Sequence, residues 1–118
     1  MTMGYTNTIT DTKHLGNHDD DATLSMETRG GTLFVSGDVD LYVAADFRQA
    51  GERYVRSCPA PIIDLIGVPF LDSAGLAALL SIEKAARQCD RSIRVVAAGN
   101  PRRVLRITGV ERILTVTE

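Results

Sequence analysis

The groups best placed for chemistry sit in one stretch, Val68-Pro69-Phe70-Leu71-Asp72-Ser73-Ala74-Gly75-Leu76. The Ser73 hydroxyl follows the Asp72 carboxylate where a turn gives way to a helical pattern. The first N–H groups of a helix have no partner inside it, and the helix dipole adds positive potential. An anion is favoured there, including a phosphate carried by Ser73. Asp and Ser are also ordinary helix caps, so two roles stay open for this pair: cap and phosphoacceptor.

Other candidate groups point to less. Asp38 and Asp40 form a carboxylate pair, but aspartates before a helix more often satisfy its free N–H groups. His14 and His18 stand four apart beside Asp19, Asp20 and Asp21, which on a helix is metal-ligand spacing. Gly16 and Asn17 oppose a helix there, so a solvated segment without metal is expected. No histidine lies beyond His18 to activate a serine or cysteine. Neither a G-x-S-x-G elbow nor a phosphate-binding G-x-x-x-x-G-K-[ST] loop occurs. The expectation is a protein that is not an enzyme and needs no cofactor.

Cys58 and Cys89 are too few for a disulfide scaffold and too far apart for a zinc knuckle. Cys89 falls on a helical core stripe, where an inert thiol is usual. Cys58 precedes Pro59 at the entry to a buried strand. A crossover helix runs back along its strand, so the two cysteines should share one end of the domain, and a reversible 58–89 disulfide is a redox candidate. Arg102, Arg103, Arg106 and Arg112 make a local basic patch that reads as a solvated or partner-facing surface.

Composition narrows the class. The 118 residues suit one domain, and 44% apolar residues suffice for a core. Thirteen basic against 15 acidic residues, a net charge of −2, provide no field for binding nucleic acid. No apolar run approaches the roughly 20 residues needed to cross a bilayer. The start is polar, without the apolar stretch of a signal peptide, so the expected address is the cytoplasm.

These residues must be positioned by a folded frame. Residues 1–22 hold too few apolar side chains to offset ordering entropy and are expected to be a disordered tail. From Thr23, alternating segments flank Gly30-Gly31 as in a β-hairpin. Val43, Phe47, Ala50 and Tyr54 then form a helical stripe, with Asp40 placed to cap or precede that helix. Ile62–Ile66 reads as a strand covered on both faces, and Leu79, Ile82, Ala86 and Cys89 as the stripe of a second helix. A strand at Ile93–Ala98 follows. A short helix then runs from Asn100-Pro101 to Gly109, and a last strand spans Ile113–Val116. The order ββαβαβαβ, with right-handed crossovers, gives an α/β domain over 23–118 built on a mixed, mostly parallel sheet with flanking helices.

The stretch PIIDLIGVPFLDSAGLAALLSIEKAAR resembles the signature of the STAS domain of anti-sigma factor antagonists. GDVD at 37–40, the strand near 93–98 and NPRRVLRITGVERIL fall in the same order, so the resemblance covers residues 23 to 117. It implies a bacterial, cytoplasmic partner-switching protein of transcription regulation, as in stress responses. Unphosphorylated, such an antagonist binds an anti-sigma factor that is a GHKL-type serine kinase, and the sigma factor is released. The kinase phosphorylates the antagonist with ATP and abolishes the affinity, and a phosphatase restores it. By motif position the phosphoacceptor is Ser73, and Asp40, Asp72, Ser73, Gly75 and Leu76 form the partner-binding set.

The alternative is a STAS scaffold or accessory subunit of a signalling or transport assembly, working without phosphorylation; the intact Asp72-Ser73 pair favours the switch. Family members often add a helix after the last strand, and this sequence stops at Glu118. One sheet or helix surface is therefore expected to be more exposed, or covered by the N-terminal segment or a second copy. A monomer or weak dimer is expected.

Overall fold

Gly30 and Gly31 hold φ of 59° and 82°, the pair of left-handed residues that a two-residue hairpin turn requires. They join β2 (Thr23–Arg29) to β3 (Thr32–Ser36) in antiparallel register, Met26 opposite Val35 and Thr28 opposite Leu33. The computed structural model describes residues 11–14 and 23–118. After β3 come α1 (Ala44–Ser57), β4 (Ile62–Gly67), α2 (Ser73–Gln88), β5 (Arg94–Val96), α3 (Gly99–Ile107), a 3₁₀ turn at Val110–Arg112 and β6 (Thr115–Thr117). Before β2 lies β1 (Asp11–His14), antiparallel to it.

The sheet has six strands in sequence order. From β3 onward every pairing is parallel, as the alternation of strands and helices predicts. Four residues of the segment expected to be disordered form the edge strand β1. Edge pairing needs only backbone N–H and C=O groups, which leave no apolar pattern to read. The rest of 1–22, including the His18 and Asp19–Asp21 part of the metal candidate, lies outside the described residues. Among those described, no group of three or more His, Cys, Asp or Glu could hold a metal ion, and no helix is long and apolar enough to cross a membrane.

One sheet face supplies the core. Thr28, Leu33, Ile63 and Val95 stand in one row across four strands, with Met26 and Val35 beside them, all buried. Phe47, Ala50 and Tyr54 of α1, Leu79, Ile82 and Ala86 of α2, and Leu105 of α3 belong to the same cluster. Helices α1 and α2 pack side by side. A Cβ on Gly51 would overlap Ile82 Cδ1, so glycine permits the close approach. Ser81 Oγ donates to Glu52 Oε2 at 2.6 Å across the same seam.

The opposite sheet face bears Glu27, Arg29, Thr32, Phe34, Ile62, Asp64, Arg94, Val96, Thr115 and Thr117, none of them buried. The crossovers from β3 to β6 all step in one direction across the sheet, so the helices gather on the core side.

Several boundaries differ from the sequence reading, and β5 is confined to Arg94–Val96. Helix α1 starts at Ala44 with Val43 at its cap position, and Asp40 instead ties the preceding turn, its Oδ1 accepting Tyr42 N–H at 3.0 Å. Helix α3 starts at Gly99, so Pro101 falls inside its first turn. Gly109, at φ 80°, ends that helical stretch, but the 3₁₀ turn follows and delays the last strand to Thr115.

Candidate functional site

The loops that leave β3 and β4 run side by side beyond the sheet. Gly37 N–H donates to Gly67 O at 3.0 Å, Val39 N–H to Phe70 O at 2.9 Å and Asp72 N–H to Val39 O at 3.2 Å. Val39 and Leu71 form a parallel bridge, which continues the β3–β4 ladder past its irregularity near Ser36. Both side chains are buried. Two loops well separated in sequence thus become one platform at the carboxyl edge of the strands, where ligands of such sheets usually bind.

Asp72 fastens this platform to α2. Its Oδ1 accepts Gly75 N–H at 2.9 Å as the helix N-cap, and its Oδ2 accepts Leu41 N–H at 3.1 Å. Both carboxylate oxygens are therefore engaged inside the molecule. From the other side, Asn100 Oδ1 accepts Leu71 N–H at 3.0 Å. Asn100, in the first turn of α3, thus secures the loop that carries the motif.

Ser73 is the first residue of α2 and is exposed, and its hydroxyl has no hydrogen-bond partner among the described residues. Asp40 is half-buried and Asp38 exposed on the adjoining loop, so the edge carries three carboxylates with Asp72. Gly75 is buried, and a Cβ there would overlap the carbonyl oxygen of Val39. It has a packing role besides its place in the expected partner-binding set: it lets the first turn of α2 lie on the Val39 backbone. Leu76 is half-buried against the core.

Four large apolar residues at the same edge escaped the sequence reading. Leu41 is 72% exposed, Tyr42 66%, Ile66 53% and Phe70 44%. Beside them, Leu41, Ala44, Ala45, Arg48, Ala74, Ala77 and Ala78 line a shallow cleft of about 320 Å³ between α1 and α2. Leu41 and Tyr42 follow GDVD directly, and that adjacency was the available signal. Leu41, Tyr42 and Phe70 lie in loops, where periodicity does not report exposure; Ile66 lies in β4, whose alternating burial shows that only one face of this strand is covered, not both as expected.

The cysteines lie apart from the site. Cys58 ends α1 and Cys89 ends α2, so they share the far end of the domain as expected, but both thiols are free. Cys58 is buried with Sγ 3.6 Å from Gly31 O. In the basic patch, Arg102 pairs with Glu111 at 2.9 Å, while Arg103, Arg106 and Arg112 are exposed.

Residues 22–116 match the family model described as "Mlab, STAS domain". The anti-sigma-B factor antagonist of Listeria monocytogenes is 34% identical over 88 residues, covering 71% of this chain and 75% of the relative. Among solved structures, an anti-sigma factor antagonist from Mycobacterium paratuberculosis superposes with a TM-score of 0.67 at 26% identity, covering 98% of this chain and 90% of that one. A putative anti-sigma factor antagonist from Thermotoga maritima gives the same TM-score, 0.67, at 16% identity, with 80% and 86% covered.

Proposed function

The chain belongs to the STAS-domain family of anti-sigma factor antagonists, and from that premise we propose that it is a partner switch controlled by the charge on Ser73. Unmodified, the platform of Asp38, Asp40, Leu41, Ser73 and Leu76 docks on an anti-sigma factor, and the sigma factor is released. That anti-sigma factor is a serine kinase of the GHKL type. Ser73 Oγ attacks the γ-phosphorus of ATP, the bond to the β-phosphate oxygen breaks, ADP leaves, and the hydroxyl proton passes to a base of the kinase. A phosphatase reverses the modification by hydrolysis.

The observation that carries this reading is the exposed hydroxyl of Ser73 at the start of α2, without a hydrogen-bond partner among the described residues and beside three carboxylates. A phosphate adds nearly two negative charges to that edge. The free protein tolerates them, because the helix N-terminus favours an anion. A partner surface shaped for a neutral hydroxyl and apolar neighbours does not, and breaking complementarity at such a point commonly costs about 2–5 kcal/mol. No rearrangement of the fold is required.

Calorimetry of the anti-sigma factor against wild type, Ser73→Ala and Ser73→Asp tests the proposal. Ser73→Ala is expected to bind about as tightly as wild type, and Ser73→Asp much more weakly, with unchanged melting curves. Mass spectrometry after incubation with kinase and ATP should place one phosphate on Ser73 and none in Ser73→Ala. Equal affinity of all three proteins would select the phosphorylation-independent scaffold instead.

A further inference from the structure

The sheet face turned away from the helices carries its charges in two rows. Glu27, Phe34, Asp64, Val96 and Thr117 stand in register across β2 to β6, a row with two acids and no base. Two residues along the strands, Arg29, Thr32, Ile62, Arg94 and Thr115 form the next row, with two bases and no acid. Among the described residues, helices cover only the other face, and no side chain of either row is buried. Phe34, Ile62 and Val96 therefore stay half-exposed between the charges, with the Arg29 guanidinium 4.1 Å above the Phe34 ring.

We propose that this face pairs with the same face of a second copy of the chain. A two-fold axis lying between the sheets and running across the strands reverses strand direction. It lays the acidic row of each copy over the basic row of the other. Glu27 then faces Arg29 of the second copy. Asp64 faces Ile62 of the second copy, with Arg94 of that copy offset sideways by one strand spacing, about 4.8 Å. Phe34 and Ile62, which lie among the charges, close against each other near the axis. The ion pair Glu27–Arg29, 3.3 Å apart and open to solvent within one copy, is exchanged for pairs between copies. Arg94, exposed and without an ion pair among the described residues, gains one.

Charge complementarity selects a second copy over an unrelated partner, because the pattern is complementary to itself under a single rotation. A face of five strands about 4.8 Å apart and about five residues long presents roughly 300–400 Å². That is under half of the ~800 Å² per side of a standard interface, so the dimer forms and dissociates with concentration. Ser73 lies on the helix side, and the rotation leaves both Ser73 edges open, at opposite ends of the pair.

Sedimentation equilibrium of the full chain, from micromolar to millimolar, reads the outcome. The mass is expected to rise from 12.8 kDa toward twice that value. Asp64→Lys and Arg94→Glu are each expected to raise the dimer dissociation constant by about tenfold or more, because each places like charges beside one another across the interface twice. An equimolar mixture of the two variants restores association. The lysine introduced in one copy then meets the glutamate introduced in the other, while the remaining native Arg94 and Asp64 still adjoin each other. Melting curves of the two variants establish that each is folded. A wild type that stays monomeric throughout overturns the proposal, as does unaltered association of both variants or failure of the mixture to recover. Association that begins only when residues 1–10 are deleted would also overturn it, by assigning the face to the chain's own N-terminal segment.

Discussion

The carboxylate of Asp72 accepts the backbone N–H of Leu41 at 3.1 Å across a separation of 31 residues. One side chain thereby joins the loop after β3 to the cap of α2, since its other oxygen holds Gly75 N–H. Asp72 adds negative charge to the edge proposed to dock a partner, and these two bonds position Ser73 and Leu41 relative to each other. Replacing Asp72 by Ala removes a cap and a tether together and should cost about 1–3 kcal/mol in urea unfolding. Asp72→Asn keeps a single acceptor oxygen and should lose less. If Asp72→Ala unfolds like wild type, the positioning role is wrong.

Gly75 offers a test of opposite sign to intuition. In an exposed helix interior, alanine is better than glycine by about 1 kcal/mol. Here a methyl group would overlap Val39 O and crowd Leu71 Cδ1, and overpacking typically costs about 1–3 kcal/mol. Gly75→Ala should therefore lower the melting temperature. Ala77→Gly, at an exposed position one turn from Ser73, is the control for intrinsic propensity and should lower it only modestly.

Tyr54 gives the fold an alkaline limit. Its hydroxyl donates to Gly31 O at 2.6 Å and accepts Ile62 N–H at 2.9 Å, pinning the hairpin turn and the start of β4 to α1. Burial pushes the phenol well above its ordinary value of 10.0. The unfolded chain loses this proton near pH ~10 while the native state keeps it, so the native state binds more protons there. Stability should be undiminished below that pH and fall as pH rises beyond it. Tyr54→Phe should cost about 1–3 kcal/mol at neutral pH, by stranding two buried backbone groups. It should also flatten the alkaline decline, read as urea midpoints across the pH series.

Thr28 is 3% exposed, and its Oγ1 has no hydrogen-bond partner among the described residues. A buried hydroxyl without a partner carries its desolvation cost uncompensated. Thr28→Val keeps the shape and removes the polar atom, so thermal unfolding should show a gain of about 1 kcal/mol.

Much of this was legible because the informative residues repeat at the period of their element. Val43, Phe47, Ala50 and Tyr54 are all buried as their spacing predicts, and the Gly30-Gly31 pair makes the turn it announces. The motif placed Ser73 correctly at the start of α2, with Asp72 as its cap. Legibility fails where geometry depends on a partner distant in sequence. The distant engagements of Asp72 with Leu41, of Asn100 with Leu71 and of Gly75 with Val39 leave no local pattern. The edge strand β1 was missed for a related reason, since it is held by backbone pairing and not by a readable apolar face.

From Thr23 to Glu118 the chain contains no histidine, so that stretch has no side chain whose ordinary ionisation falls between about pH 5 and 7. A phosphate on Ser73 would change that, because its second proton leaves near pH ~6. Such a phosphate would make the proposed docking edge responsive to mild acidification: as pH falls, the phosphate would gain a proton and the proposed repulsion there would weaken without any dephosphorylation.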